Sequence, residues 1–521
     1  MRKFFTAILL LWLSWITLPA QTISPAVASP SQNNFTAIIS FLSSDWMEGR
    51  EAASRGGFMA ADYIASMMQV NGLAPYGDGS IQPRSSLSGA QSYFQNFELV
   101  RTQVQKASLA VVRPFTEGES TLQLNLGTDF EITPVLFGGE AEATVVFAGY
   151  GIEAPGKGYN DYQGTDVNDR IVIVISGYPG HADTTSPAGK KLRKTFGETY
   201  SSLEKKLRVA EKHGAIAVIV VNVAMNTPKP TGPDYEDPEY FLPGDTSTVN
   251  IPCFRLSHDA TRLLFKGTEI DLTGFEKNVA RDLVPASRVV HGKKLRFSVA
   301  VKSENVMVRN VLGVIPGSDT TRNLIVGAHY DHLGMRKALI YNGADDNASG
   351  VAGMLALSKA WAAYPEKPSC NIIFAAWTAE EKGILGSTYF AIHSPIVPER
   401  LSLVINMDMI SRSAPEDSTG KQISIGTLPV NEDLRKMAKT INSHQKCPFL
   451  LDLWDVTGHS GSDYGSFAAR KIPVMTFFSG FHDDYHSPRD IAAKTNPVKM
   501  EAILKIVNEC IREASVNPPV K

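Results

Sequence analysis

The residues best suited to chemistry begin in the stretch NLIVGAHYDHLGMRKALIYNGADDNASG, Asn323 to Gly350. An apolar run there delivers His329, and Asp331 follows two positions later. A ligating imidazole usually gives its other ring N–H to a carboxylate, and the His-x-Asp spacing permits that pairing. His329 is therefore expected to bind a cation and Asp331 to orient it. On its own His-x-Asp suits a surface loop equally well, and four later segments shift the balance. Gly343 to Gly350 forms a tight acidic loop containing Asp345, Asp346 and Asn347. Glu380 and Glu381 stand side by side in TAEEKG, so one carboxylate can bind metal while its neighbour reaches the water that the metal holds. Asp408 sits in the apolar segment NMDMIS, and a buried aspartate needs a partner or a cation. The segment GFHDDYHSPRD then offers two histidines, His482 and His486.

These side chains need elements to present them. Asn323 to Gly327, Asn371 to Trp377, Leu401 to Met407 and Ile472 to Phe478 are short apolar runs that read as strands buried on both faces of a parallel sheet. In open α/β sheets the ligand crevice lies beyond the carboxyl ends of the strands, which is where each candidate residue falls. The apolar segment VAGMLALSKAWAAY reads as a helix opened by the acidic loop, with Asp345 or Asn347 as its cap. Upstream, Asn33 to Gly72 carries helical periodicity, and SYFQNFELV and ASLAVVR read as long strands. From about 128 to 288 the texture changes to β-rich runs around one amphipathic helix, Ser201 to His213. Gly149-x-Gly151 is not followed promptly by a helix, which speaks against dinucleotide binding.

The chain has 521 residues, 43% of them hydrophobic, too many for one ordinary domain and too apolar for disorder. Its formal net charge is -2 and it has no strong basic run, so neither nucleic acid nor an acidic membrane surface is expected as a partner. Met1, Arg2 and Lys3 precede the apolar run Phe4 to Leu18 and then Ala26-Val27-Ala28, the pattern of a secretory signal over 1–28. Export to the periplasm or the medium is the expectation. No other stretch approaches the roughly 20 apolar residues of a membrane span. Cys253, Cys370, Cys447 and Cys510 form no C-x-x-C pair and no zinc ligand set, and their pairing stays open.

Taken together, His329, Asp346, Glu380-Glu381, Asp408 and Tyr485-His486 resemble the ordered motifs of the co-catalytic di-zinc exopeptidases, which include bacterial leucine aminopeptidases and glutamate carboxypeptidase II. The resemblance implies an α/β zinc-exopeptidase fold of the phosphorylase/hydrolase-like type, a mainly parallel central sheet flanked by helices. Residues 128–290 resemble the protease-associated domain, a small α/β insert. The expected organisation is a leader at 1–28, catalytic segments at 29–127 and 291–521, and the insert between them. Carried over by position, His329 and Asp408 would hold one Zn2+, Glu381 and His486 the other, and Asp346 would bridge them. Glu380 matches the family's general base, Asp331 the partner of His329, and Tyr485 a tyrosine that stabilises the tetrahedral intermediate. Co2+ or Mn2+ could substitute at such nitrogen and oxygen ligands. The implied activity is hydrolysis of peptides. No arginine cluster flanks the motifs beyond Arg412 and Arg489, which favours an aminopeptidase over a carboxypeptidase or dipeptidase. A glutaminyl cyclase and a catalytically inactive binding protein are the readings from other classes.

Overall fold

The computed structural model describes residues 31–78, 92–133, 138–222, 238–244, 249, 251–457 and 461–520. The leader expected at 1–28 lies outside these residues.

Two helices lead the described chain, α1 (Gln32–Leu42) and α2 (Arg55–Val70). The Ser54 hydroxyl accepts from the Gly57 amide and so caps α2. Phe35, Ile38, Ile39 and Leu42 of α1, with Ala60, Ile64 and Met68 of α2, recur at helical spacing and enter the main core.

Thirteen strands form the framework around the candidate residues. They are β1 (Phe94–Phe115), β2 (Phe130–Thr133), β3 (Gly139–Phe147), β4 (Ile171–Ile175), β5 (Ala217–Val221), β6 (Cys253–Leu256), β7 (Arg288–Ile315), β8 (Asp319–His329), β9 (Cys370–Trp377), β10 (Leu401–Met407), β11 (Gln422–Thr427), β12 (Leu450–Asp455) and β13 (Val474–Phe478). Twelve of them lie side by side across a single sheet in the order β12-β11-β13-β10-β8-β9-β7-β3-β4-β5-β6-β2. The central strands β13, β10, β8 and β9 run parallel, while β11 and β7 flank them antiparallel.

Every residue of β10 is buried. Leu403, Ile405 and Met407 face the core shared with α1 and α2, whereas Leu401 and Val404 face a second layer containing Phe390 and Phe467. A strand covered on both faces needs no polar alternation, which explains the unbroken apolar run. Two further helices, α3 (Gly350–Ala362) and α4 (Pro497–Val516), cover the same face as α1 and α2.

The long antiparallel pair of β1 and β7 joins this unit to a second one, with partners running from Phe94 and Val311 to Val112 and Lys294. The far ends of the pair supply Val104, Leu109, Phe297 and Val299 to a separate core with Phe130, Ile173 and Ile219. By its packing this second unit takes in residues on both sides of the 128–290 range. All four cysteines are free, and only Cys447 is exposed. Among the described residues no helix is long and apolar enough to cross a membrane.

The short turn Asp45–Arg50 between α1 and α2 carries a wholly buried guanidinium. Arg50 donates to the carbonyls of Leu42, Tyr330, Asn342 and Gly343. It thereby ties the N-terminal helices to the segment after His329 and to the loop that precedes Asp346. Burial lowers its pKa to about 10, against the opposing pull of Asp346, Asp490, Asp331 and Glu381. Arg50→Met leaves these carbonyls unpaired and a buried acidic region uncompensated. Urea unfolding of the metal-free protein should show a loss of about 3–5 kcal/mol, and an unchanged midpoint would contradict this account of the tie.

Candidate metal centre

The expected ligands all leave the carboxyl edge of the parallel strands. His329 ends β8, Asp408 directly follows β10, and Glu380 and Glu381 lie just beyond β9. His486 is on the loop after β13, and Asp346 belongs to the turn Ala344–Ser349 that opens α3. The three backbones that carry Glu380, Asp408 and His486 bend sharply at this edge, with positive φ at Ala379, Met409 and His486. Such non-glycine conformations cost roughly 1–3 kcal/mol each and persist where the surroundings over-determine them.

These turns bring the side chains into two groups. His329 Nε2 stands 3.4 Å from Asp408 Oδ1, 3.5 Å from Asp346 Oδ1 and 3.9 Å from Glu380 Oε2. The other oxygen of Asp346, Oδ2, is 3.2 Å from His486 Nε2, which in turn is 3.3 Å from Glu381 Oε2. Asp346 therefore turns one oxygen toward each group. Ligand atoms on a tetrahedral cation with bonds of about 2.0–2.1 Å lie about 3.3 Å apart, so the spacings fit bound metal. Asp408 Oδ1 is buried and has no hydrogen-bond partner among the described residues, a cost that a cation would remove.

Residues 310–511 match the model of peptidase family M28. This segment, less than half of the chain, is similar to that family. A probable zinc metalloprotease of Pyrenophora teres f. teres is 34% identical over 143 residues, covering 26% of this chain and 30% of that protein. The chain thus spans about a third of the curated relatives it first matches, 30% and 32% of their lengths. Among solved structures, the aminopeptidase from Aneurinibacillus sp. strain AM-1 covers 93% of this chain and 94% of its own, with a TM-score of 0.59 at 20% identity. A zinc aminopeptidase from Bacillus subtilis covers 94% and 96% with a TM-score of 0.51, again at 20% identity. At that identity the two structures establish a shared fold.

Within this site the loop before α3 is held from several sides. Gly343 has φ +54°, and a Cβ there would meet Asp346 O at 2.1 Å and the His332 ring at 2.6 Å, so only glycine fits. Asn347 does act as a cap, its Oδ1 accepting from the Gly350 amide, and it also accepts from Met409 N and donates to Met407 O. Asp345 does not cap the helix. Its carboxylate accepts from the amides of Ser411 and Arg412, joining the loop to the chain beyond Asp408.

Asp331 is wholly buried beside His329, but the pairing differs in form from the expected one. His329 Nδ1 is 3.1 Å from the main-chain carbonyl of Asp331 and 3.9 Å from its carboxylate. The Asp331 carboxylate instead accepts from the amides of Glu380 and Glu381, at 3.1 and 3.4 Å, and so shapes the turn that presents both glutamates. A two-residue spacing allows either oxygen of Asp331 to reach the ring, and the tight exit from β8 selects the main chain.

Tyr485 lies against the site, its ring stacked on that of His486 at 3.8 Å and packed edge-on against Phe481. His482 is absent from both groups, with Nε2 3.5 Å from Asp345 and 3.8 Å from Asp490. Three buried residues went unselected in the sequence. Asp490 accepts from the amides of Asp345 and Asp346. Asp463 is wholly buried near His329 and Asp408, and burial raises its carboxyl to about 7. His332 brings Nδ1 to 2.7 Å from Glu381 Oε1. Only for His332 was a signal available, since it is the second histidine of HYDH.

The metal-free electrostatics are those of crowded acid. Burial, then Asp408, Glu381 and Asp463, push the Glu380 carboxyl well above the usual carboxylate range, although His329 opposes. Burial disfavours charge on His329, yet Glu380, Asp408 and Asp346 hold its pKa well above the ordinary value. Burial likewise opposes charge on His486, while its bonds to Asp346 and Glu381 raise it to about 9.

The shared carboxylate and the raised histidine each have a measurable consequence. Asp346→Ala removes an oxygen from both groups, so elemental analysis should find metal lost from both, and full occupancy would rule out the bridge. The raised pKa of His486 stabilises the metal-free fold fully below about 6.5, and the contribution disappears as pH rises through about 9. A cation must displace that proton, so metal affinity should strengthen from pH ~6 toward ~9 in competition titrations. An affinity flat across that window would contradict the ligand role of His486.

Proposed function

We propose that the protein is an exported zinc aminopeptidase that removes N-terminal residues from peptides. One observation carries the reading: two ligand groups share Asp346, and Glu380 stands 3.9 Å from His329 at their edge. Two Zn2+ ions held there, by His329, Asp408 and Asp346 and by Asp346, Glu381 and His486, would supply Lewis acidity toward water and the scissile carbonyl. Glu380 is the proton carrier. Its buried surroundings raise its affinity for a proton, and as carboxylate it takes the proton of the attacking water and returns it to the leaving amine. Tyr485 borders the same cavity, and its hydroxyl is the donor for the developing oxyanion.

A cavity of about 390 Å³ beside the ligands supports binding of the amino end of a peptide. Asp452 joins the ligand carboxylates in its wall, and no lysine or arginine lines it among the described residues. That wall attracts an ammonium and repels a carboxylate. Both arginines near the motifs are committed elsewhere, since Arg412 and Arg489 donate to Asp484 at 2.8 and 2.7 Å. Trp454, Tyr464, Phe478 and Phe481 complete the wall and suit a large apolar first residue.

The apolar run Phe4 to Leu18 supports export. We assign the second packing unit to the protease-associated type, shaping the approach to the cavity. Tyr240, paired to β1 within that unit, lies under Lys382 at 5.3 Å, one residue from Glu381.

The reading is tested with p-nitroanilides of leucine, phenylalanine and alanine and their N-blocked counterparts. Chelator-sensitive cleavage of the free amines alone, with leucine and phenylalanine ahead of alanine, is expected; cleavage of blocked substrates would overturn it. Glu380→Gln should keep its metal and lose roughly 10²–10⁴-fold in turnover, so near-normal rates in that variant would remove Glu380 from the mechanism.

A further inference from the structure

We infer that His332 is a positioning residue for Glu381, holding its Oε1 by a hydrogen bond so that Oε2 faces the cation position shared with His486 and Asp346. The inference rests on the two-metal reading of the site.

The distances separate a ligand from a hydrogen-bond donor. Where the groups act as neighbouring ligands, their atoms lie 3.2 to 3.5 Å apart, near the roughly 3.3 Å edge of a tetrahedral zinc shell. His332 Nδ1 and Glu381 Oε1 are only 2.7 Å apart. That is shorter than the edge of a tetrahedral zinc shell and is the length of a charge-assisted N–H···O bond. Glu381 also divides its two oxygens, Oε1 toward His332 and Oε2 toward His486.

The tautomer is set by the chemistry of the partner. A carboxylate only accepts, so His332 Nδ1 carries the proton. Nε2 is buried with no hydrogen-bond partner among the described residues, which suits a bare acceptor better than an unpaired donor. The ring itself is fixed. It is fully buried, its main-chain amide donates to Arg50 O, and the Cα of Gly343 approaches its edge so closely that a Cβ would clash. The ring planes of His332 and His486 meet at 66° with centroids 5.8 Å apart, so the two imidazoles approach Glu381 from different sides.

Without this donor Glu381 is free to rotate or to offer both oxygens. The cost should fall on one ion. Groups that orient a metal ligand from behind usually contribute 10- to 100-fold in affinity.

The experiment measures zinc stoichiometry and stepwise affinity, by chelator competition, in wild type, His332→Leu and His332→Asn, with thermal melting as a check on folding. Expected are two ions in wild type, a roughly 10- to 100-fold weaker second ion in His332→Leu with the first unchanged, and substantial recovery in His332→Asn, whose amide N–H replaces Nδ1–H. Zinc X-ray absorption of the wild type should show one imidazole nitrogen per ion, from His329 and His486. Two ions bound with wild-type affinity by His332→Leu would overturn the positioning role alone. A third imidazole in the absorption spectrum would make His332 a ligand and overturn it as well. A wild-type protein that binds no zinc would instead bring down the two-metal reading itself.

Discussion

Carboxylates buried together beside one crevice are the constraint on which the rest of the structure depends. Asp331, Asp346, Glu380, Glu381 and Asp408 lie close enough to repel, and burial makes each charge costly. In the metal-free chain the burden is divided unevenly. Glu380 is pushed far up, while Glu381, despite its burial, is held far down by His332 and His486. Adjacent residues thus reach opposite protonation preferences through their neighbours, the pattern expected where one carboxylate ligates and the other moves a proton.

Holding such a cluster requires rigid support from behind. The parallel strands supply it, because β8, β9 and β10 are sandwiched between two apolar layers and end at one level. Hydrogen bonds then fix the loops. Asp331 holds the turn of the two glutamates, Asp490 holds the amides of the bridging loop, and Asp345 ties that loop to the chain beyond Asp408. Arg50 brings the N-terminal helices into the same framework, bonding to Gly343 across a separation of 293 residues. The site is consequently a property of the whole α/β unit, although the family model matches only residues 310–511.

The second unit is continuous with this framework through the sheet itself. β1 and β7 run from the main core into the second core without a break in pairing, apart from one shift of register near Ala300 and Val301. A stiff two-stranded connection of this kind carries the second unit as an extension of the sheet. It also places Tyr240 beside Lys382, the neighbour of Glu381 in the sequence.

The sequence by itself determined much of this protein. Apolar runs bounded by turn formers marked β8, β9, β10 and β13, because strands buried on both faces need unbroken hydrophobicity. Their charged exits marked the ligands, because Asp and Glu are rarely placed against such runs without a partner. What only the tertiary structure decided depends on contacts between distant segments. The family resemblance, not the local chemistry, separates His486 from His482, and nothing local reveals that Asp345 supports the chain beyond Asp408. The choice of the Asp331 carbonyl over its carboxylate depends on the turn at the end of β8. The partners of Arg50, Asp490 and His332 lie far away along the chain, and these side chains acquire a role only when the fold buries them against those partners.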